Sequence, residues 1–126
     1  MPSTDLKALI ASLSHQDYCY LTTRGRVSGK PHEIEIWFGI QGSSLYLLSG
    51  GGTDSDWVKN LLREPKVQIR VGKSNFIGQA TLVNGLEEDK LARELLAAKY
   101  YRWKRGKPLN HWARTATPVV IKLSVK

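Results

Sequence analysis

The sequence predicts a small antiparallel barrel or open sheet flanked by helices. Three observations lead there. Six short runs are apolar or alternate in polarity, turn residues separate them at close intervals, and only one segment sustains a long helical pattern. With 126 residues, 41% of them hydrophobic and 24% charged, the chain fits one globular domain spanning 1–126.

Ser3 or Thr4 can cap a first helix in which Leu6, Leu9, Ile10 and Leu13 recur at helical spacing. Tyr18 to Thr23, rich in aromatic and β-branched residues, reads as a strand. A basic turn follows, with Arg24, Arg26 and Lys30 set among Gly25, Ser28, Gly29 and Pro31. His32 to Ile40 then alternates as one strand, Ile34, Ile36 and Phe38 on one face and Glu33, Glu35 and Trp37 on the other. Gln41 to Ser44 turns the chain into a third strand, Leu45 to Ser49, which runs into Gly50-Gly51-Gly52.

Thr53 or Asp54 can cap the next helix, with Trp57, Val58, Leu61 and Leu62 facing inward and Pro65 ending it. Lys66 to Val71 places Val67, Ile69 and Val71 on one face, and a Lys73-Ser74-Asn75 turn leads to a strand from Phe76 to Val83. Asn84-Gly85 is a turn signal. Leu86 to Arg105 reads as the long helix, buried along Leu91, Leu95 and Ala98, and Val119 to Val125 as the closing strand.

Several classes of chemistry find no support. His15, His32 and His111 are scattered and no CxxC or HxxxH spacing occurs, so no metal site is expected. Ser28 lacks the GxSxG elbow of a hydrolase, "GRVSGK" is too short for a nucleotide-hydrolase phosphate loop, and the triple glycine lacks GxGxxG spacing. Cys19 stands alone in a strand and reads as a buried thiol. No apolar run approaches the roughly 20 residues that cross a bilayer, and no signal-peptide pattern is visible, so a cytoplasmic protein is expected.

A net charge of +8 calls for an anionic partner: nucleic acid, anionic lipid or a phosphorylated cofactor. One basic group, Arg24, Arg26 and Lys30, lies among glycines between strands; another, Lys99 to Lys107, decorates the end of the long helix. A hairpin over residues 32–49 would bring Ser49 and Gly50 to Gly52 beside Pro31 and His32. Cations, a hydroxyl and bare backbone amides would then converge, aided by the start of the helix near Asp54, as phosphate binding requires. An ordinary solvated turn is the competing reading. Nucleic-acid stacking on Trp37 and Tyr46 is a further one, although no recognition-module signature is present.

The stretches "LTTRGRVSGKPHEIEIWF", "LYLLSGGG", "DWVKNLLREPKVQIRV" and "ARTATPVVIKL" resemble the deazaflavin-dependent nitroreductase family. These are split β-barrels of the pyridoxamine 5′-phosphate oxidase-like, FMN-binding group. The resemblance runs from about Tyr20 to Leu123. It implies binding of reduced coenzyme F420, a 5-deazaflavin, and hydride transfer to a small electrophilic acceptor such as a quinone, nitroaromatic or enone. It also implies roles for residues. Arg26, Ser28, Gly29 and Lys30 match the turn holding the cofactor phosphate and charged tail, with His32 next to it. Glu35, Ile36 and Trp37 match the strand passing the ring. Ser49, Gly50, Gly51 and Gly52 match the loop at the ring edge, and Asp56, Trp57 and Asn60 match the helix start beneath it.

No side chain is expected to act as a catalytic acid or base; Tyr100, Tyr101 and Trp103 are the acceptor-side candidates, with core or dimer packing as their plainer role. Val27 and Gly50 replace cations common in the family, Glu35 replaces a proline, and the loop from Gly52 to Trp57 is shorter. These departures make FMN the alternative cofactor, and a non-enzymatic anion-binding or nucleic-acid-binding module the alternative function. A homodimer is expected, because a domain this small encloses a three-ring cofactor poorly by itself and Tyr100, Tyr101, Trp103 and Trp112 offer apolar surface. Contact of the Lys99–Lys107 cluster with an anionic membrane surface is also envisaged.

Overall fold

Seven strands form one sheet in the order β2-β1-β5-β6-β7-β4-β3 in the computed structural model, which describes residues 3–125. The strands are β1 Cys19–Arg24, β2 Pro31–Ile36, β3 Gly39–Gln41, β4 Ser44–Ser49, β5 Lys66–Val71, β6 Ser74–Leu82 and β7 Thr117–Val125. The helices are α1 Ser3–Ser12, α2 Asp56–Arg63, α3 Leu86–Tyr101 and α4 His111–Thr115, with a single 3-10 turn at Gly52–Asp54. Every strand pairing is antiparallel. The cap expected at Ser3 or Thr4 lies outside the described side chains.

The expected single strand 32–40 is two strands. β2 pairs with β1, from Cys19 opposite Ile36 to Arg24 opposite Pro31, and β3 pairs with β4. They occupy opposite edges of the sheet although only Trp37 and Phe38 separate them. Three peptide steps reach about 11 Å at most, so the sheet must curl until its edges nearly meet. The result is a mainly-β half-barrel with flanking helices. At the corner α3 supplies the bonds a ladder would otherwise supply. Phe38 N–H donates to the Tyr100 hydroxyl at 3.0 Å, and Phe38 C=O accepts from Lys99 Nζ at 3.1 Å.

The core has two layers because β4 and β7 are covered on both faces. Leu45 and Leu47 face the barrel interior with Leu21, Phe38, Ile69 and Phe76. Tyr46 and Leu48 face outward onto Ala92, Leu96 and Ala97 of α3 and Ala113 of α4. Doubly covered strands read as continuous apolar runs, as "LYLL" and "PVVI" do.

Four helical expectations are corrected. The buried stripe of α3 is Ala92, Leu96 and Ala97; Leu91 and Leu95 are half-buried and Ala98 is exposed. The contact with β4 sets the helix rotation, and alanines are chosen where helix and sheet come close. α3 ends at Tyr101, because Arg102 adopts a left-handed conformation (φ 56°) and Trp103 N–H returns to Ala97 C=O. In α2, Leu62 is 51% exposed and Asn60 takes the inward place. Ser55, rather than Thr53 or Asp54, occupies the N-cap position of α2, because residues 52–54 form the 3-10 turn.

Cys19 is fully buried, and burial pushes its thiol up to about 12, as expected of a packing residue. No helix among the described residues is long and apolar enough to cross a membrane.

Candidate functional site

The basic turn between β1 and β2 is closed by its own backbone. Gly25 N–H donates to Lys30 C=O at 2.8 Å, Gly29 N–H to Gly25 C=O at 2.9 Å, and Lys30 N–H to Ser28 Oγ at 3.2 Å. Arg24 Nη1 donates to Gly29 C=O at 2.9 Å, which spends one of the three cations on the turn itself. Gly25 is the tightest point. A Cβ there would lie 2.7 Å from His32 Nε2 and 2.8 Å from Ser28 Oγ, so an added methyl would push the imidazole and the hydroxyl aside.

Arg26 reaches across to α2. Its Nη1 donates to Asn60 Oδ1 at 2.8 Å, and its Nη2 pairs with Asp56 Oδ1 at 3.1 Å. Asn60, 5% exposed, also accepts from Arg26 N–H at 3.2 Å and donates through Nδ2 to Thr23 Oγ1 at 3.2 Å. Between turn and helix lies a cleft of about 480 Å³. Arg26, Ser28, His32, Asp56, Trp57 and Asn60 line it, all of them residues the resemblance singled out. Thr23, Gly25, Glu33 and Ile34 line it too and were not singled out.

The glycine loop does not reach this cleft by the predicted route. The hairpin 32–49 breaks at Trp37–Phe38, so no ladder sets Gly50 to Gly52 beside Pro31 and His32. The loop is instead linked to the turn through α2: the 3-10 turn Gly52–Asp54 leads directly into Asp56, which meets Arg26. Ser49, fully buried, donates to Gly52 C=O at 2.8 Å and lies 2.8 Å from the Ser55 hydroxyl, which fixes the loop. Gly52 sits at φ +62°, a conformation that favours glycine.

A second centre forms around Trp37. Its ring stacks on Tyr100 (centroids 4.3 Å apart, planes 4° apart) and meets Tyr101 at 6.0 Å and Trp112 at 5.5 Å edge-on. Trp112 also covers Gly50, whose Cβ, were there one, would lie 3.6 Å from the indole. Trp37, Gly50, Tyr100 and Tyr101 are thus brought into one aromatic face. Trp103 is not part of it, since its Nε1 donates to Lys107 C=O at 2.8 Å in the next loop. Gly29 and Lys30 stay at the exposed turn tip, Ile36 packs on the core, and Glu35 accepts from the Tyr20 hydroxyl at 2.8 Å.

One arginine fixes this face from behind. Arg93 Nη1 donates to the carbonyls of Ala113, Arg114 and Ala116 at 3.0, 2.9 and 2.7 Å, while its Nε pairs with Asp89 at 2.6 Å. Those carbonyls terminate α4, the helix carrying Trp112. The i,i+4 spacing of Asp89 and Arg93 was visible in the sequence, but the partners some 20 residues away were not.

The family described as F420H(2)-dependent quinone reductase matches residues 5–122 of this chain. The chain belongs to that family. An F420H2-dependent quinone reductase is an oxidoreductase whose cofactor is coenzyme F420, and the deazaflavin resemblance read from the sequence agrees with this.

Solved structures similar to this F420H2-dependent quinone reductase family member share its fold. A Bacteroides thetaiotaomicron protein provisionally assigned to 5-nitroimidazole antibiotic resistance superposes with a TM-score of 0.75 at 18% identity, over 94% of this chain and 80% of its own. A protein of Listeria innocua provisionally assigned as a pyridoxamine 5′-phosphate oxidase gives 0.64 at 21% identity, over 93% and 90%. An F420-H2 dependent reductase gives 0.62 at 20% identity, over 86% and 94%. No curated protein shows significant similarity.

Proposed function

We propose that this member of the quinone reductase family transfers a hydride from reduced F420 to a small electrophilic acceptor, a quinone, nitroaromatic or enone. The observation that carries the reading is the cleft in which Arg26, Ser28 and His32 face Trp57 across the start of α2. Its donors suit a phosphate: a guanidinium, a hydroxyl and an imidazole, with Lys30 exposed on the same turn. The Nη2 end of Arg26 can serve while Nη1 stays on Asn60, because its carboxylate partner Asp56 is 87% exposed in its side chain and such a surface pair contributes little. A phosphate can take the place of that carboxylate at small cost.

Bound reduced F420 supplies the hydride; the chain supplies binding, orientation and exclusion of water. Arg26, Ser28 and Lys30 hold the phosphate. Trp57 forms a wall of the cleft. The aromatic face of Trp37, Tyr101 and Trp112 offers the acceptor a flat apolar surface beside Gly50. Backbone amides of the Gly50–Gly52 loop are the donors suited to negative charge developing on the acceptor. A homodimer belongs to the same proposal: Val27, 94% exposed and lining the cleft, and Leu62 on the outside of α2 are apolar surface a second chain would cover.

FMN is the second reading. Val27, at the tip where a further cation would hold an anionic tail, favours a ligand with a phosphate and no tail. Titration with F420 and with FMN, followed by quenching of the four tryptophans, separates the two. Micromolar binding of F420 supports the first reading. Tight FMN binding without F420 binding moves the assignment to the flavin, and a chain that binds neither removes both.

A further inference from the structure

The net charge of the chain is confined to its last quarter. All 11 acidic residues lie at or before Glu94, where 11 cations balance them, so the eight cations from Lys99 to Lys126 account for the whole +8. Four of these, Arg102, Lys104, Arg105 and Lys107, sit on the loop between α3 and α4 and are exposed. Between them stand Trp103, half-buried, and beside them Tyr101 and Pro108, exposed.

The loop has a fixed shape. Trp103 N–H donates to Ala97 C=O at 3.2 Å, Trp103 Nε1 to Lys107 C=O at 2.8 Å, and Lys107 N–H to Lys104 C=O at 3.1 Å. Two of these bonds spend the backbone amides of Trp103 and Lys107, which a discrete phosphate would need, and all four cations are exposed, three of them (Arg102, Lys104 and Lys107) along the border of one pocket of about 310 Å³. Such a surface suits a diffuse field of negative charge better than a single anion. A polynucleotide would need a track of cations spanning several phosphates, whereas the first 94 residues balance.

We propose that the α3–α4 loop docks the protein on an anionic lipid bilayer, its cations over the headgroups and Tyr101 and Trp103 at the interface. Amphipathic aromatic rings favour that depth, and each Lys or Arg near an anionic leaflet strengthens the attachment. The attachment is peripheral as far as the helices are concerned, since none described could span a bilayer. Tyr101, the last residue of α3, borders the loop and belongs to the Trp37 face, so docking turns the face toward the lipid, where apolar acceptors dissolve. This last step rests on the reductase reading; the docking does not.

The experiment is co-sedimentation at low salt with vesicles of phosphatidylcholine alone and with vesicles containing phosphatidylglycerol. Wild-type protein is expected to bind only the anionic vesicles, and to be released as salt rises. Lys104→Gln/Arg105→Gln/Lys107→Gln should weaken binding on the order of a hundredfold, at about fivefold per cation. Lys7→Gln/Lys73→Gln/Lys90→Gln, which removes the same charge from exposed positions elsewhere, should bind nearly as wild type does. Equal losses in the two variants would overturn the proposal by reducing it to net charge. So would a wild type indifferent to phosphatidylglycerol, or tighter binding to duplex DNA than to vesicles that the loop variant abolishes.

Discussion

Trp37 lies flat on Tyr100, and the same tyrosine holds the backbone next to it: its hydroxyl accepts from Phe38 N–H at 3.0 Å and reaches Asp17 C=O at 2.9 Å. One α3 residue therefore sets both the plane of the aromatic face and the corner at which the sheet curls. Burial pushes its phenol up to about 12, so the hydroxyl stays protonated and able to donate throughout the neutral range. Tyr100→Phe keeps the stack and strands the Phe38 N–H. Unfolding in urea should show a loss of about 1–3 kcal/mol, the cost of an unsatisfied buried donor. A variant as stable as wild type would show that the corner does not depend on this hydroxyl.

Arg93 should act on the site through α4. Arg93→Ala removes the donor from three carbonyls and leaves Asp89 unpaired, and about 2–3 kcal/mol of stability should go with it. Near-ultraviolet circular dichroism reads the position of Trp112 against Trp37 directly. The signal should change in Arg93→Ala and be restored only partly by Arg93→Lys, since an ammonium lacks the planar fork. An unchanged aromatic spectrum in Arg93→Ala would confine Arg93 to stability alone.

Arg26 and Asn60 touch, yet their replacements should separate. Arg26→Ala should weaken cofactor binding by about 1–3 kcal/mol and lower the melting temperature only slightly, because Asp56 is exposed and the buried Asn60 Oδ1 keeps the main-chain N–H of residue 26 as a donor. Lys30→Ala should behave the same way. Asn60→Ala empties a buried junction between Thr23, the turn and α2, and should lower stability by about 1–3 kcal/mol. A large melting shift in Arg26→Ala with unchanged affinity would make the basic turn a structural one.

Lys99 gives stability a pH signature. Burial draws its ammonium down from 10.5 to about 8 beside Phe38, on whose ring and carbonyl it rests. Between about 8 and 10.5 the unfolded chain binds the proton that the folded chain has released, so Lys99 makes stability rise with pH across that window. Cys19, Tyr46 and Tyr100, all pushed up to about 12 mainly by burial, act in the opposite sense above their ordinary values. The difference between wild type and Lys99→Met isolates the lysine: measured by urea unfolding, it should move in favour of wild type from pH 8 to 10.5. A flat difference would refute the assignment.

Light scattering at moderate salt tests the homodimer. Twice the 14.2 kDa chain mass is expected, with the partner beside the cleft and away from the basic loop, whose like charges oppose self-association. A charge introduced at Leu62, as Leu62→Glu, should shift the population to single chains without lowering their melting temperature, because that side chain is already half in solvent. A stable single chain that binds cofactor fully would refute the dimer.

The sequence by itself determined the strands, the turns between them, the basic turn and the family. These depend on local order: alternation in "KVQIRV", continuous apolar runs in "LYLL" and "PVVI", and glycine punctuation around Arg26. Only the tertiary structure decided that residues 32–40 break into two opposite sheet edges, because curling is a property of seven strands together and Trp37–Phe38 is bonded by α3. It alone placed Asn60 inward and Leu62 outward, since Asn60 finds Thr23 and Arg26 as partners there. It alone gave Trp112 its place over Gly50. A five-residue helix is too short to show a period, and the arginine that anchors it comes from another helix.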